Sequence, residues 1–258
     1  MNVSVSFETK GRVGWITLER PKAMNALTRE MVEAMTATLS QWRQDPAVRV
    51  VVLTGMGAAF CAGADLKQAG DPVEPGEKDY LDVIVDFFTL LRAFPKPVIA
   101  AVNGLALAGG LETVMCCDLV IAGQSARFGD AHSNFGVFPG GGGAAILPRK
   151  VPANVAKYLL FTGDSLPAEE MRHYGLVNEV VADAELAARA QALGEKLATK
   201  SPIVLSRMKR VANEATDKSA RDALRDEELE LRNHQRSWDI QEGLAAFAEK
   251  RKPQFRGY

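Results

Sequence analysis

Two apolar runs in this chain are each followed at once by a stretch nearly free of bulky side chains, and that pairing limits the fold most. Residues 48–53 are β-branched or apolar almost throughout, as are residues 98–102. Such runs suit strands buried on both faces of a sheet. Behind the first comes Gly55-Met56-Gly57-Ala58-Ala59-Phe60-Cys61-Ala62-Gly63-Ala64-Asp65-Leu66-Lys67. Behind the second comes Asn103-Gly104-Leu105-Ala106-Leu107-Ala108-Gly109-Gly110-Leu111-Glu112. Helical patterns alternate with the strands. Thr28 can cap a helix carrying Met31, Met35, Leu39 and Trp42, and a second helix is predicted over residues 80–94, ahead of Pro95 and Pro97. A third is predicted over residues 109–117 and another strand over residues 118–122. The order strand, helix, strand, helix, strand predicts an α/β fold with mostly parallel pairing. A β-hairpin is predicted at the start, where Val3, Val5 and Phe7 alternate and residues 13–18 form a second run.

Beyond residue 185 the patterns are helical only. Leu186, Ala190, Leu193 and Leu197 make one stripe. Ser201-Pro202 opens another helix. Asp239, with Glu242 three residues on, reads as a capping box for a last helix carrying Leu244 and Phe247. We therefore divide the chain into an α/β core, residues 1–185, and a helical C-terminal region, residues 186–258, packing on the core or on a neighbouring subunit. Residues 69–78, rich in Gly, Pro and acidic side chains, read as a mobile loop.

A formal net charge of −1 supplies no global field for nucleic acid or an anionic membrane, so neither is expected as a partner. No stretch reaches 18 consecutive apolar residues. The first residues lack the pattern of a secretory or organellar leader. Three cysteines, two of them adjacent, fit neither a disulfide framework nor a metal site. A cytoplasmic protein, or a mature form with its leader removed, is the expectation.

In parallel sheets ligands bind beyond the carboxyl ends of the strands, where both small-residue segments fall. Bare backbone there can approach a ligand closely, and N–H groups at a helix start lack partners and favour negative charge. The Gly109 N–H has that setting, which suits an oxyanion hole, and Glu112 lies one turn further on. Small residues at a strand-to-helix turn also serve tight packing, and a Glu near a helix start also serves the dipole. Spacing by itself leaves the function open.

The segments closely resemble the crotonase (enoyl-CoA hydratase/isomerase) superfamily. The resemblance runs along nearly the whole chain. It includes Arg20-Pro21-Lys22-Ala23-Met24-Asn25-Ala26-Leu27, residues 60–67, residues 97–104 and Ala108-Gly109-Gly110-Leu111-Glu112. It continues through Phe128-Gly129, residues 136–143, residues 175–178 and the tail at 242–253. It implies a spiral of ββα units with a helical C-terminal extension, and an enzyme acting on an acyl-CoA thioester. By the resemblance, the backbone N–H groups of Ala64 and Gly109 form the oxyanion hole. Ala62, Ala64, Asp65, Leu66 and Lys67 line coenzyme A, with Lys67 near a nucleotide phosphate. Phe247 and Lys250 match tail positions that can reach the coenzyme A of an adjoining subunit. Glu112 matches the first catalytic glutamate. A homotrimer or dimer of trimers is implied, and no metal or redox cofactor, coenzyme A being part of the substrate.

The chain departs from the hydratase pattern at the second glutamate, where His132 stands. An imidazole can donate or accept a proton near neutrality, so a Glu112–His132 pair can sustain hydration of an α,β-unsaturated acyl-CoA, with Asp130 orienting the ring. Other readings are thioester hydrolysis, retro-Claisen cleavage, isomerisation, a structural His132, or an acyl-CoA-binding protein without turnover. Ala108 replaces the first glycine of the family's glycine run, a change expected to leave the Gly109 donor intact. His173 and His234 fall in helical segments read as exposed and receive no role.

Overall fold

The structure, a computed structural model, describes residues 3–68 and 73–258. Strands β1 (Val5–Lys10) and β2 (Val13–Leu18) form the expected antiparallel hairpin, with Gly11 in the left-handed region at its turn. Helix α1 (Arg29–Gln44) begins where the Thr28 hydroxyl accepts from Met31 N–H, a cap worth about 1 kcal/mol. It leads to β3 (Val50–Gly55) and the three-residue strand β4 (Ala59–Cys61). Helix α2 (Tyr80–Arg92) is capped by Asp79 and stops two residues short of the predicted end. Then come β5 (Val98–Val102), β6 (Leu105–Leu107), α3 (Gly109–Cys116), β7 (Leu119–Gly123) and β8 (Arg127–Gly129).

The long strands build one sheet in the order β1-β2-β3-β5-β7-β10, where β10 is Glu179–Val181; every pair but β1–β2 is parallel. The short strands build a second sheet, β4-β6-β8-β9, with β9 at Ser165–Pro167. The pairs β3–β4, β5–β6 and β7–β8 thus each lay one strand in the large sheet and the next in the small one. This is the ββ repeat that the resemblance implies. None of the small strands is among the elements the sequence predicts, because three residues are too few to show a period of two.

Both faces of the large sheet are covered. Val51, Leu53, Val98, Ala100 and Val102 face the main core, which also holds Met31, Met35 and Leu39 of α1 and Phe87, Phe88 and Leu91 of α2. Val50, Val52, Ile99 and Ala101 face the opposite way, against Leu186, Ala190 and Ala198 of a later helix (Leu186–Ala198). Between β8 and that helix lie α4 (Leu147–Lys150), α5 (Ala153–Thr162) and α6 (Ala168–His173), so the helix facing the sheet is α7. Helix α7 is thereby a wall of the core sheet.

Helices α8 (Pro202–Ala215) and α9 (Ala220–His234) pair with each other and contain no buried residue, and α10 (Trp238–Ala248) follows. The cap of α10 corrects the sequence reading. Ser237, not Asp239, accepts from Ile240 N–H. Asp239 is instead buried inside the helix, where it accepts from Arg256 N–H, Gly257 N–H and the Ser201 hydroxyl and so ties down the tail. Glu242 takes a two-pronged contact from Arg251. His234 is half-buried rather than exposed, its Nδ1 3.1 Å from Ser237 Oγ. Of the segment at 69–78, residues 69–72 lie outside the described residues, and residues 75 and 76 form a turn.

Candidate active site

The turn after β3 is shaped by two asparagines. Buried Asn25 donates to the carbonyls of Ala59 and Met56 and accepts from Arg20 N–H. Asn103 donates to Gly57 and Ala59 and accepts from Gly55 N–H. Together they fix the reversal that sends the chain from the large sheet into β4. In the small sheet β4 and β6 are parallel neighbours. The chain leaving β4 passes Gly63 and Ala64; the chain leaving β6 passes Ala108 and Gly109.

These exits meet. A Cβ on Gly109 would lie 3.2 Å from Gly63 Cα and 3.3 Å from Ala64 N, and one on Gly63, whose φ is +106°, would lie 3.0 Å from Gly109 N. Glycine at 63 is required twice, by its backbone angle and by this approach. Leu27 N–H donates to Gly63 O and Leu27 O accepts from Asp65 N–H, a parallel bridge that leaves Ala64 N–H facing away from Leu27. Gly109 opens α3, so its N–H belongs to the unpaired first turn. Among the described residues neither amide donates a hydrogen bond. Ala108 precedes Gly109 at φ 49° and ψ −120°, a conformation that L-residues adopt at a cost of about 1–3 kcal/mol.

Glu112 sits in the first turn of α3 and is 3% exposed. Its Oε1 accepts from Gly141 N–H at 2.7 Å and from Gly143 N–H at 3.0 Å. Hydrogen bonds to a charged acceptor are worth about 1.5–3 kcal/mol each, enough to offset much of the cost of burying a carboxylate. Oε2 has no hydrogen-bond partner among the described residues. Gly141 is confined between this carboxylate and Phe88, whose ring a Cβ there would meet at 2.2 Å.

His132 lies in a four-residue 3-10 turn after β8. Its Nδ1 is 2.8 Å from Asp130 Oδ1, and its side chain is 12% exposed. Burial disfavours the imidazolium, but the hydrogen bond and charge of Asp130, joined by the charge of Glu112, outweigh it and hold the ring above its ordinary value. Asp130 is buried, with Oδ2 sealed and unpartnered among the described residues. The cysteines are poor nucleophiles here: burial pushes the Cys61 thiol up to about 12 and raises Cys116 and Cys117 as well.

The remaining sequence candidates are dispersed. Ala62 N–H is spent on Met24 O. Burial pushes the Asp65 carboxyl up, yet Arg20 at 2.6 Å carries it below the usual value. Leu66 and Lys67 are exposed. Phe247 and Lys250 are exposed at the end of α10, with no hydrogen bond to residues 62–67 among the described residues. A cleft of about 1450 Å³ lined by Arg12, Arg49, Trp238 and Arg251 opens at the other end of β2 and β3 and holds none of these groups. The sequence reading gave no part to Gly141, Gly143 or Arg92, although the glycine run was visible.

Two unengaged amides, a buried carboxylate and a carboxylate-paired imidazole are thus held by the turns that follow the strands of this α/β fold. The chain belongs to the enoyl-CoA hydratase/isomerase family, whose sequence profile matches residues 8–258. It is 37% identical to (E)-benzylidenesuccinyl-CoA hydratase of Thauera aromatica over 98% of this chain and 99% of that protein. It is 35% identical to crotonyl-CoA hydratase of Syntrophomonas wolfei, over 98% of this chain and 97% of that one. The enoyl-CoA hydratase of Bacillus anthracis superposes with a TM-score of 0.93 at 35% identity, covering 99% of this chain and 100% of that one.

Proposed function

We propose that this protein hydrates an α,β-unsaturated acyl-CoA, or runs the reverse dehydration. The observation that carries this reading is the pair of unengaged amides at Ala64 and Gly109, brought together with Glu112 one turn along α3. The thioester oxygen accepts from both N–H groups, which are most valuable as negative charge grows on it. Glu112 takes a proton from water as its oxygen adds to the β-carbon. Electrons move onto the thioester oxygen, giving an enolate. His132, as imidazolium, returns a proton to the α-carbon, and Asp130 holds the ring in register for that transfer. Coenzyme A runs along Ala62, Ala64, Asp65, Leu66 and Lys67. No step requires a metal or redox cofactor.

The apolar side chains left uncovered on the C-terminal helices, among them Met208, Leu224 and Phe247 at 63%, 66% and 86% exposure, support assembly into a homotrimer or dimer of trimers. That assembly would bring Phe247 and Lys250 to a neighbour's coenzyme A. No helix among the described residues is long and apolar enough to cross a membrane, and three unpaired buried cysteines suit the cytoplasm.

Incubation with crotonyl-CoA, following loss of the conjugated enoyl thioester absorbance, tests the reading. Release of free coenzyme A from saturated or β-keto thioesters would replace hydration with hydrolysis or cleavage. Binding without turnover across a broad thioester panel would leave a carrier.

A further inference from the structure

Gly141 lies between two charges. Its N–H goes to Glu112 Oε1, and its carbonyl accepts from Arg92 Nη2 at 3.0 Å. The same Nη2 lies 3.4 Å from Cys116 Sγ, one turn beyond Glu112 on α3. Arg92 is the last residue of α2, is half-buried, and has no carboxylate partner among the described residues. Its Nε is sealed from solvent and unpartnered among those residues. A guanidinium withdrawn from water without an ion pair is costly unless a nearby charge compensates it. Glu112, on the far side of Gly141, is the opposite charge that this arrangement supplies.

The loop bearing Gly141 is four consecutive glycines, residues 140–143. It has no side chains with which to fix itself, and its backbone is freer than any other. Two of its N–H groups nevertheless have to point at one carboxylate oxygen. We infer that Arg92 is a positioning residue for the reaction, clamping the Gly141 carbonyl so that the Gly141 and Gly143 N–H groups hold Glu112 in its working orientation. This rests on Glu112 being the group that activates water. It adds a contact from α2, which the sequence does not connect to the chemistry.

The test is steady-state kinetics on crotonyl-CoA for R92M, R92K and E112Q, with thermal melting of each. R92M removes the donor at similar volume. Displacement of a reacting group by a fraction of an ångström to an ångström costs up to about 10²-fold, so kcat should fall about 10- to 100-fold with KM within about twofold. R92K restores a cationic donor and should recover part of kcat. A merely structural residue would lower active protein or melting temperature without that split. If R92M does not fold, R92L, which also lacks a donor, takes its place with the same expected split. Wild-type kcat in the donor-lacking variant, or a folded R92K no better than R92M, overturns the inference. If E112Q is active, the reading of Glu112 fails; if E112Q is dead and R92M is normal, only the clamp fails.

Discussion

Glu112 and His132, the two groups proposed to move protons, are held by opposite means. Glu112 stands on an eight-residue helix, and main-chain N–H groups of Gly141 and Gly143 grip it. His132 stands on a short 3-10 turn flanked by Ala131 and Gly136 in left-handed conformations, and one side chain, Asp130, grips it. A group fixed by backbone depends on neighbouring side chains only where, like Arg92, they hold that backbone. A group fixed by a side chain can be exchanged together with its partner and leave the fold intact. The departure from the hydratase pattern falls on the second kind of position.

The largest effect should come from the rigid side. Glu112→Gln keeps the shape but cannot take a proton, and turnover should fall beyond about 10⁴-fold while acyl-CoA binding, measured by calorimetry, persists. Near-normal activity would remove Glu112 from the mechanism. His132→Ala should cost about 10²–10⁴-fold in kcat, and wild-type rates would make the imidazole structural.

Asp130→Asn sharpens the comparison through pH. Asp130 raises the imidazole, and His132 must be protonated to deliver its proton, so activity is lost as pH rises through that raised value. In D130N the alkaline limb of kcat/KM should move to lower pH. The same sign governs stability: the charged pair helps the fold below the ordinary imidazole value of about 6.5, and that help fades as pH rises through the folded-state value. Thermal melts of wild type should therefore lose more than those of D130N across that window, and identical slopes would count against the pairing. The smallest effect is Ala108→Gly. Relief of about 1–3 kcal/mol of strain, set against the extra freedom of glycine when unfolded, should raise stability by about 1 kcal/mol, or about 2–4 °C in Tm.

Much of this was readable from the chain. Buried β5 appears in the sequence with its observed limits, and Thr28 caps α1 as its position predicts. Glu112 stands out by its place one turn after Gly109 as well as by the resemblance, His132 by the resemblance alone. What escaped is long-range. Gly141 and Gly143 lie 29 and 31 residues from the carboxylate they hold, and Arg92 lies 49 from the carbonyl it clamps. No local period encodes such pairings. Asp239 misled because its acidic spacing imitates a cap, whereas its carboxylate serves a tail 17 and 18 residues further on.

The small sheet has one more effect. Because β4 and β6 are adjacent parallel strands, the ladder between them sets the spacing, about 4.8 Å, from which the two following segments start. It behaves as a ruler cut into the main chain. Substitutions that spare Gly63 and Gly109 leave that spacing alone, so they can change which acyl group enters, or which proton moves, without recalibrating the two-point seat proposed for the carbonyl.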